Sequence, residues 1–303
     1  MNIEKTSCTE SKRTRSLGID HGVIIMIISV CCFTANTLLL KYLGATRSVN
    51  PSVALLFRAV IGAVIVLLFF RSRRPLEIKP IFRDKWLMGR GIAGLLGTAA
   101  YYVTISSLGA GKASILCNTY VLFAVLIAAV TIGESLRKMT LGWIILAFAG
   151  IILLTGGPSQ GGAQAEGEGA GVMIALGGAL CAATTVVLIR RLTARYSNGT
   201  IFMAQCLWIG IAVLPFAVMH LKALASVDIT VLALAGSMAA CGQMLLNEGF
   251  RRLTVAVGSS IQMTWPLMTA IGGYAFFGET LTVLQLTGAS LILIGTFQVS
   301  LKR

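Results

Sequence analysis

Ten apolar runs of about twenty residues divide the chain, at about 22–43, 52–70, 86–108, 113–132, 139–156, 170–189, 200–219, 229–250, 255–277 and 281–299. Few folds can accommodate them. Inside a bilayer no water satisfies a backbone N–H or C=O, so only helices and closed barrels span it. A barrel strand needs about ten residues, whereas a helix rising about 1.5 Å per residue needs about twenty to cross about 30 Å of hydrocarbon. The run length therefore selects helices. The chain is expected to be an all-α integral membrane protein of ten transmembrane helices.

Charge supports this reading. Of 303 residues, 56% are apolar and 12% charged, about half the charge of a soluble domain. A net charge of +14 could suggest nucleic acid, but the basic residues sit in short clusters between apolar runs, as topology demands. No nucleic-acid partner is expected. Alternate connecting segments collect twenty lysines and arginines, among them Arg71, Arg73, Arg74, Arg137, Lys138, Arg190, Arg191, Arg251 and Arg252. The other segments hold four: Lys41, Arg47, Lys112 and Lys222. Cytoplasmic loops carry the positive excess, so both termini are expected in the cytoplasm of a cell with an inner membrane. The run His21–Leu40 is too long for a signal-peptide core and reads as a retained first helix.

The stretch 108–150 occurs twice. Leu108, Ser114, Thr119, Leu122, Gly133-Glu134, Leu136, Leu141, Leu146 and Gly150 recur 145 places later as Leu253, Ser259, Thr264, Leu267, Gly278-Glu279, Leu281, Leu286, Leu291 and Gly295. Val23, Cys32, Lys41 and Leu43 repeat more faintly as Val172, Cys181, Arg190 and Leu192. Five spans per copy is odd, so the second copy enters the membrane from the opposite side. The expected organisation is a cytoplasmic tail (1–20), a first five-helix repeat (21–156), a Gly-rich periplasmic linker (157–169) and a second repeat (170–300). Two inverted-topology five-helix repeats are a secondary-transporter architecture, because exchanging the conformations of the halves moves the opening from one face to the other.

Taken together, Phe33-Thr-Ala-Asn36 with Lys41, Asn50-Pro51 leading to Phe57-Arg58-Ala59, Gly94 through Gly97-Thr98 to Tyr101-Tyr102, and the two Gly-Glu span ends resemble the drug/metabolite transporter superfamily, EamA type, across nearly the whole chain. The resemblance implies ten helices in two inverted bundles, a central cavity lined by the first four spans of each half, and export or exchange of a small-molecule metabolite. The family often has a proline in the middle of both the fourth and ninth spans. Here Pro266 keeps it and Val121 replaces it. A proline removes a helix hydrogen bond, so Pro266 is expected to act as a hinge in span 9 while span 4 stays continuous.

Polar groups deep in apolar runs are the candidate cavity residues, because each must find a partner or a ligand. They are Asn36, Arg58, Tyr101, Tyr102, Asn118, Tyr120, Gln205, Gln243, Gln262, Thr264 and Trp265; Asn36, Arg58, Tyr102 and Trp265 are expected to face the cavity. Arg58 could anchor a substrate carboxylate or phosphate, or bond helix ends. The aromatics and amides suit a moderately polar, cationic or zwitterionic ligand. Glu248 is a possible proton-coupling carboxylate, although Arg251 and Arg252 stand one turn away and favour a local salt bridge. Glu134 and Glu279, at span ends, suit solvated or helix-pairing roles. Gly91, Gly94 and Gly97 suit close helix approach.

No Cys/His spacing suggests a metal, and the run Ser107–Ser114 lacks the glycine and hydroxyl of a phosphate loop. No cofactor is expected, and a monomer or weak dimer in the bilayer is. An enzyme acting on lipid-linked substrates would need clustered carboxylates or a histidine at one face. A non-transporting scaffold would need no cavity. Neither is favoured.

Overall fold

The computed structural model describes residues 21–70, 76–132, 138–156, 165–192, 195–221, 224–253, 258 and 261–301. Among them lie eleven α-helices: α1 (His21–Arg47), α2 (Pro51–Phe70), α3 (Lys85–Leu108), α4 (Ala110–Asn118), α5 (Tyr120–Ile132), α6 (Lys138–Gly156), α7 (Ala165–Leu192), α8 (Asn198–Leu221), α9 (Ser226–Arg252), α10 (Thr264–Phe277) and α11 (Val283–Leu301). Six of these, α1, α2, α3, α7, α8 and α9, are long and apolar enough to cross a membrane, and α6 and α11 are shorter apolar helices. Their outer faces carry large apolar side chains, such as Leu68 at 72% exposure, Ile152 at 69% and Phe276 at 76%. A water-soluble surface would scatter such residues singly; here they clothe the bundle, as lipid contact requires. The protein is a multi-pass, all-helical membrane protein.

Small residues set the helix contacts. The most extensive run between α1 and α9, α3 and α7, α6 and α11, and α2 and α8. Gly97 of α3 lies against Gly178 O and the backbone of Ala182 on α7, so those helices meet at backbone distance. Gly150 on α6 meets Gly288 O and the backbone of Ile292 on α11 in the same way. Polar caps start some helices: the Asp84 carboxylate accepts from Trp86 N at 2.8 Å at the head of α3.

Two expectations change. The tether shortens, because residues 165–169 already belong to α7; residues 157–164 lie outside the described residues, as do the tail 1–20 and Gly133-Glu134. Span 4, expected to be continuous, is interrupted: α4 ends at Asn118 and α5 starts at Tyr120. Thr119 has ψ −5° rather than the −42° of a helix, and its N–H bonds back three residues to Leu116 O at 3.1 Å. Its hydroxyl donates to the same carbonyl at 2.6 Å. Side-chain bonding of this kind competes with the helical ladder.

Span 9 is interrupted one residue earlier in the repeat frame. Met263 has ψ −14°, and the Thr264 hydroxyl donates to Ile261 O at 2.7 Å. Thr119 and Leu116 match Thr264 and Ile261 at the 145-residue offset, so the repeated threonine accounts for both interruptions. Pro266 is the third residue of α10, in a first turn whose N–H groups have no intrahelical partner in any case. It does not kink a continuous helix.

Candidate functional site

Five of the candidate residues converge between α1, α2, α3 and α10. The Tyr101 ring packs edge-on to Trp265 at 5.3 Å between centroids and lies 6.4 Å from Tyr102; Phe33 meets Trp265 at 6.0 Å. Hydrogen bonds tie the cluster to α1. Thr37 Oγ1 lies 2.6 Å from the Tyr101 hydroxyl, and Tyr102 OH donates to Asn36 Oδ1 at 3.5 Å. The Arg58 guanidinium lies 5.9 Å from the centre of the Tyr102 ring. Asn36, Arg58 and Tyr102 are buried, at 1%, 6% and 4% exposure. A polar and aromatic nest of this depth would be costly in a protein that only filled lipid.

A second polar group lies between α3 and α8. Gln205 Oε1 accepts from Arg90 Nη2 at 3.0 Å, and Gln205 Nε2 donates to Thr98 Oγ1 at 2.9 Å and Gly94 O at 3.3 Å. A Cβ at Gly94 would collide with Arg90 Nη1, and one at Gly91 with the Trp208 indole. These two glycines therefore make room for side chains, and only Gly97 of the three serves close helix approach. Sequence reasoning missed Arg90 as a site residue, because its place near a basic end made topology a sufficient account. Its signal was depth, since five residues past Lys85 is about 8 Å into the span.

The other candidates stand apart from these two groups. Asn118 Nδ2 reaches Met263 Sδ, its own repeat mate, at 2.9 Å. Gln262 is buried, Tyr120 packs in an apolar cluster around Leu122, and Thr264 is exposed. The interruption at Met263 breaks the helical phase that would put Gln262 on one face with Trp265 and Thr269. Gln243 bonds Asn247 on its own helix at 3.4 Å. Glu248 accepts from Arg252 Nε at 2.7 Å in an i,i+4 pair at the end of α9.

Glu279 takes the helix-pairing role that its place at a span end allows. Gly278, with φ +64°, closes α10 in the left-handed conformation that glycine adopts freely. The chain then turns, and the Glu279 carboxylate meets the N-terminus of α4, accepting from Ala110 N at 2.9 Å and Gly111 N at 3.2 Å. Lys41 Nζ lies 3.0 Å from the same carboxylate. A carboxylate at a helix N-terminus satisfies orphan N–H groups and complements the dipole. Gly109, with φ +84°, leaves the space, since any Cβ there would strike the Glu279 carboxylate. A cavity of about 270 Å³ opens beside this junction, bordered by Ser107, Lys112 and Gln285.

At the other end of the bundle the Asp84 carboxyl is held below its ordinary range, mainly by the N–H of Trp86 and further by the Tyr196 hydroxyl at 2.9 Å. That hydroxyl is pushed up in turn by the carboxylate it serves. Arg191 and Lys85 rest on the Trp86 ring, at 3.9 and 5.5 Å from its centre.

Long apolar helices around a buried polar core describe a membrane transporter. The EamA-like transporter family matches residues 20–156 and 169–301, and the chain belongs to that family. It is 22% identical to the pseudopaline exporter CntI of Pseudomonas aeruginosa, over 93% of this chain and 96% of that one. It is 25% identical to the threonine/homoserine exporter RhtA of Salmonella typhimurium, over 90% and 89% of the two chains. The uncharacterized transporter YcbK of Bacillus subtilis is also 25% identical, over 88% of each. One crystal structure shares the fold with a TM-score of 0.60 at 17% identity, covering 92% of this chain and 96% of its own.

Proposed function

We propose that the protein is a secondary transporter that exports or exchanges a small organic metabolite across a bacterial inner membrane by alternating access. Residues 21–156 and 170–300 form its two inverted five-helix halves, with both termini in the cytoplasm. The observation that carries this reading is the polar and aromatic nest of Asn36, Arg58, Tyr101, Tyr102 and Trp265, set between helices of both halves. Three further observations support it. The contact of α1 with α9 has its counterpart in that of α7 with α3 when the halves are exchanged, and α2–α8 and α6–α11 each map onto themselves. The matching spans are interrupted at Thr119 and at Met263, next to its repeat mate Thr264, and interrupted helices recur at transporter binding sites. Two of the relatives are named as exporters.

A residue of the nest must face each side of the membrane in turn. In a cysteine-free background, Tyr102→Cys and Trp265→Cys should react with a membrane-impermeant maleimide added from either side of oriented proteoliposomes. Reaction from a single side at both positions would sink alternating access.

A further inference from the structure

Several cations elsewhere in this protein are supplied with carboxylates, the exposed Arg47 and Arg252 included. Lys41 has Glu279, Arg47 has Asp228 at 2.7 Å, and Arg252 has Glu248. Two arginines break that pattern. Arg90, 2% exposed, makes one hydrogen bond, to the neutral amide of Gln205, and its Nε and Nη1 have no partner. Arg58, 6% exposed, has the Tyr102 ring beside it and no hydrogen bond or ion pair to any described residue. The carboxylates whose side chains are described are committed elsewhere: Asp84 to Tyr196, Asp228 to Arg47, Glu248 to Arg252 and Glu279 to Lys41, with Glu77 exposed.

The two guanidiniums belong to one region. α2, α3 and α8 all touch one another. Gln205 turns toward α3, while Cys206, the next residue, lies against Gly62 of α2. Arg58 and Arg90 both act electrostatically on the Cys206 thiol and on each other. Trp208 Nε1, above Gly91, is a further buried donor without a partner. The region thus holds an excess of N–H donors and two positive charges, with no carboxylate to match them among the described side chains. An unpaired charge in hydrocarbon is costly, and an arginine fork fits a carboxylate or phosphate in two-point contact.

Resting on the transporter reading above, we propose that Arg58 and Arg90 bind the anionic group, a carboxylate or phosphate, of the transported solute between α2, α3 and α8. Gln205 positions Arg90 for that contact. Bound solute brings the acceptor that the fold omits, and its charge offsets the repulsion between the guanidiniums.

The test is equilibrium binding by the full-length protein in an uncharged detergent, so that it stands whether or not flux is ever seen. Thermal unfolding is followed in succinate or inorganic phosphate, against chloride of equal ionic strength and the neutral analogue succinamide. A ligand that binds only the folded state raises its stability. Wild type and Lys41→Gln should be stabilised by one or both anions and not by succinamide, and the better anion tells carboxylate from phosphate. Arg58→Gln and Arg90→Gln should each weaken that binding by roughly 30-fold or more, as loss of one partner of a buried charge pair does. Arg58→Lys and Arg90→Lys, which keep the charge but lose the fork, should fall between. No anion preference in wild type, or wild-type preference in the glutamine variants, overturns the proposal. If the glutamine variants do not fold, wild-type preference in both lysine variants overturns it.

Discussion

The junction of Lys41 and Glu279 and the region of Arg58 and Arg90 treat charge in opposite ways. At the junction, one carboxylate receives an ammonium and two backbone N–H groups, and two glycines with positive φ shape the space for it. In the interior, the two guanidiniums have between them a single hydrogen bond to the described residues, from Arg90 to a neutral amide. The first arrangement is complete and holds α1, α4 and the end of α10 together. The second lacks a component. Charges that serve the fold are paired from within the chain, and charges that serve a solute are left for it.

The contrast predicts opposite signs on stability. Glu279→Gln should cost the most, on the order of 2–3 kcal/mol, because it strips a charged partner from Lys41 and weakens the acceptor of two helix-end donors at a partly exposed site. Denaturant unfolding in micelles reads this directly. Arg90→Met should go the other way, leaving stability unchanged or raising it by about 1–4 kcal/mol, since an uncompensated buried charge is replaced by apolar volume. Its solute flux in proteoliposomes should be lost. A strongly destabilised Arg90→Met would erase the distinction between the two regions.

Smaller changes sharpen the comparison. Thr119→Val and Thr264→Val remove the hydroxyls that draw Leu116 O and Ile261 O away from the helical ladder. Each should shift stability by less than about 1 kcal/mol, while slowing the exchange of Tyr102→Cys between reactivity from the two sides. Asp84→Ala should cost about 1 kcal/mol through loss of the α3 cap, and Asp84→Asn, which keeps an acceptor, less. Because the folded Asp84 carboxyl titrates below its ordinary value, its contribution is complete above about pH 4 and disappears as pH falls through the depressed value. Melting-temperature profiles of wild type and Asp84→Asn should keep a constant separation above that acidic window and close it only as pH falls through it.

Much of this organisation was legible in the chain. Run length implied membrane helices, and Arg58 stood out as the basic residue deep in an apolar run. Five of eleven candidate residues met in one nest, since deep polar groups in apolar helices must find partners. Arg90 was not legible, because a cation near a basic loop satisfies the topology rule equally well. The link from Glu279 to Ala110 was hidden by its sequence separation of 169 residues, which no local pattern encodes. The interruptions illustrate a wrong attribution. The repeated threonine was visible, but proline drew the inference because its effect is intrinsic, whereas a threonine acts only through the carbonyl it captures.

The α6–α11 contact has a mechanical consequence. Gly150 and Gly295, repeat mates, both sit in it. Gly150 meets Gly288 O, Gly288 meets Leu154 N, and Gly295 meets Trp143 O. Rotamer changes can give way under load, but main chain against main chain meets only a steep repulsive wall. This line resists compression and has no slack to take up. In the alternating-access reading proposed above, motion of one half against the other pivots about it, as a door turns on its pin, with the widest excursion at the helices farthest from the pin.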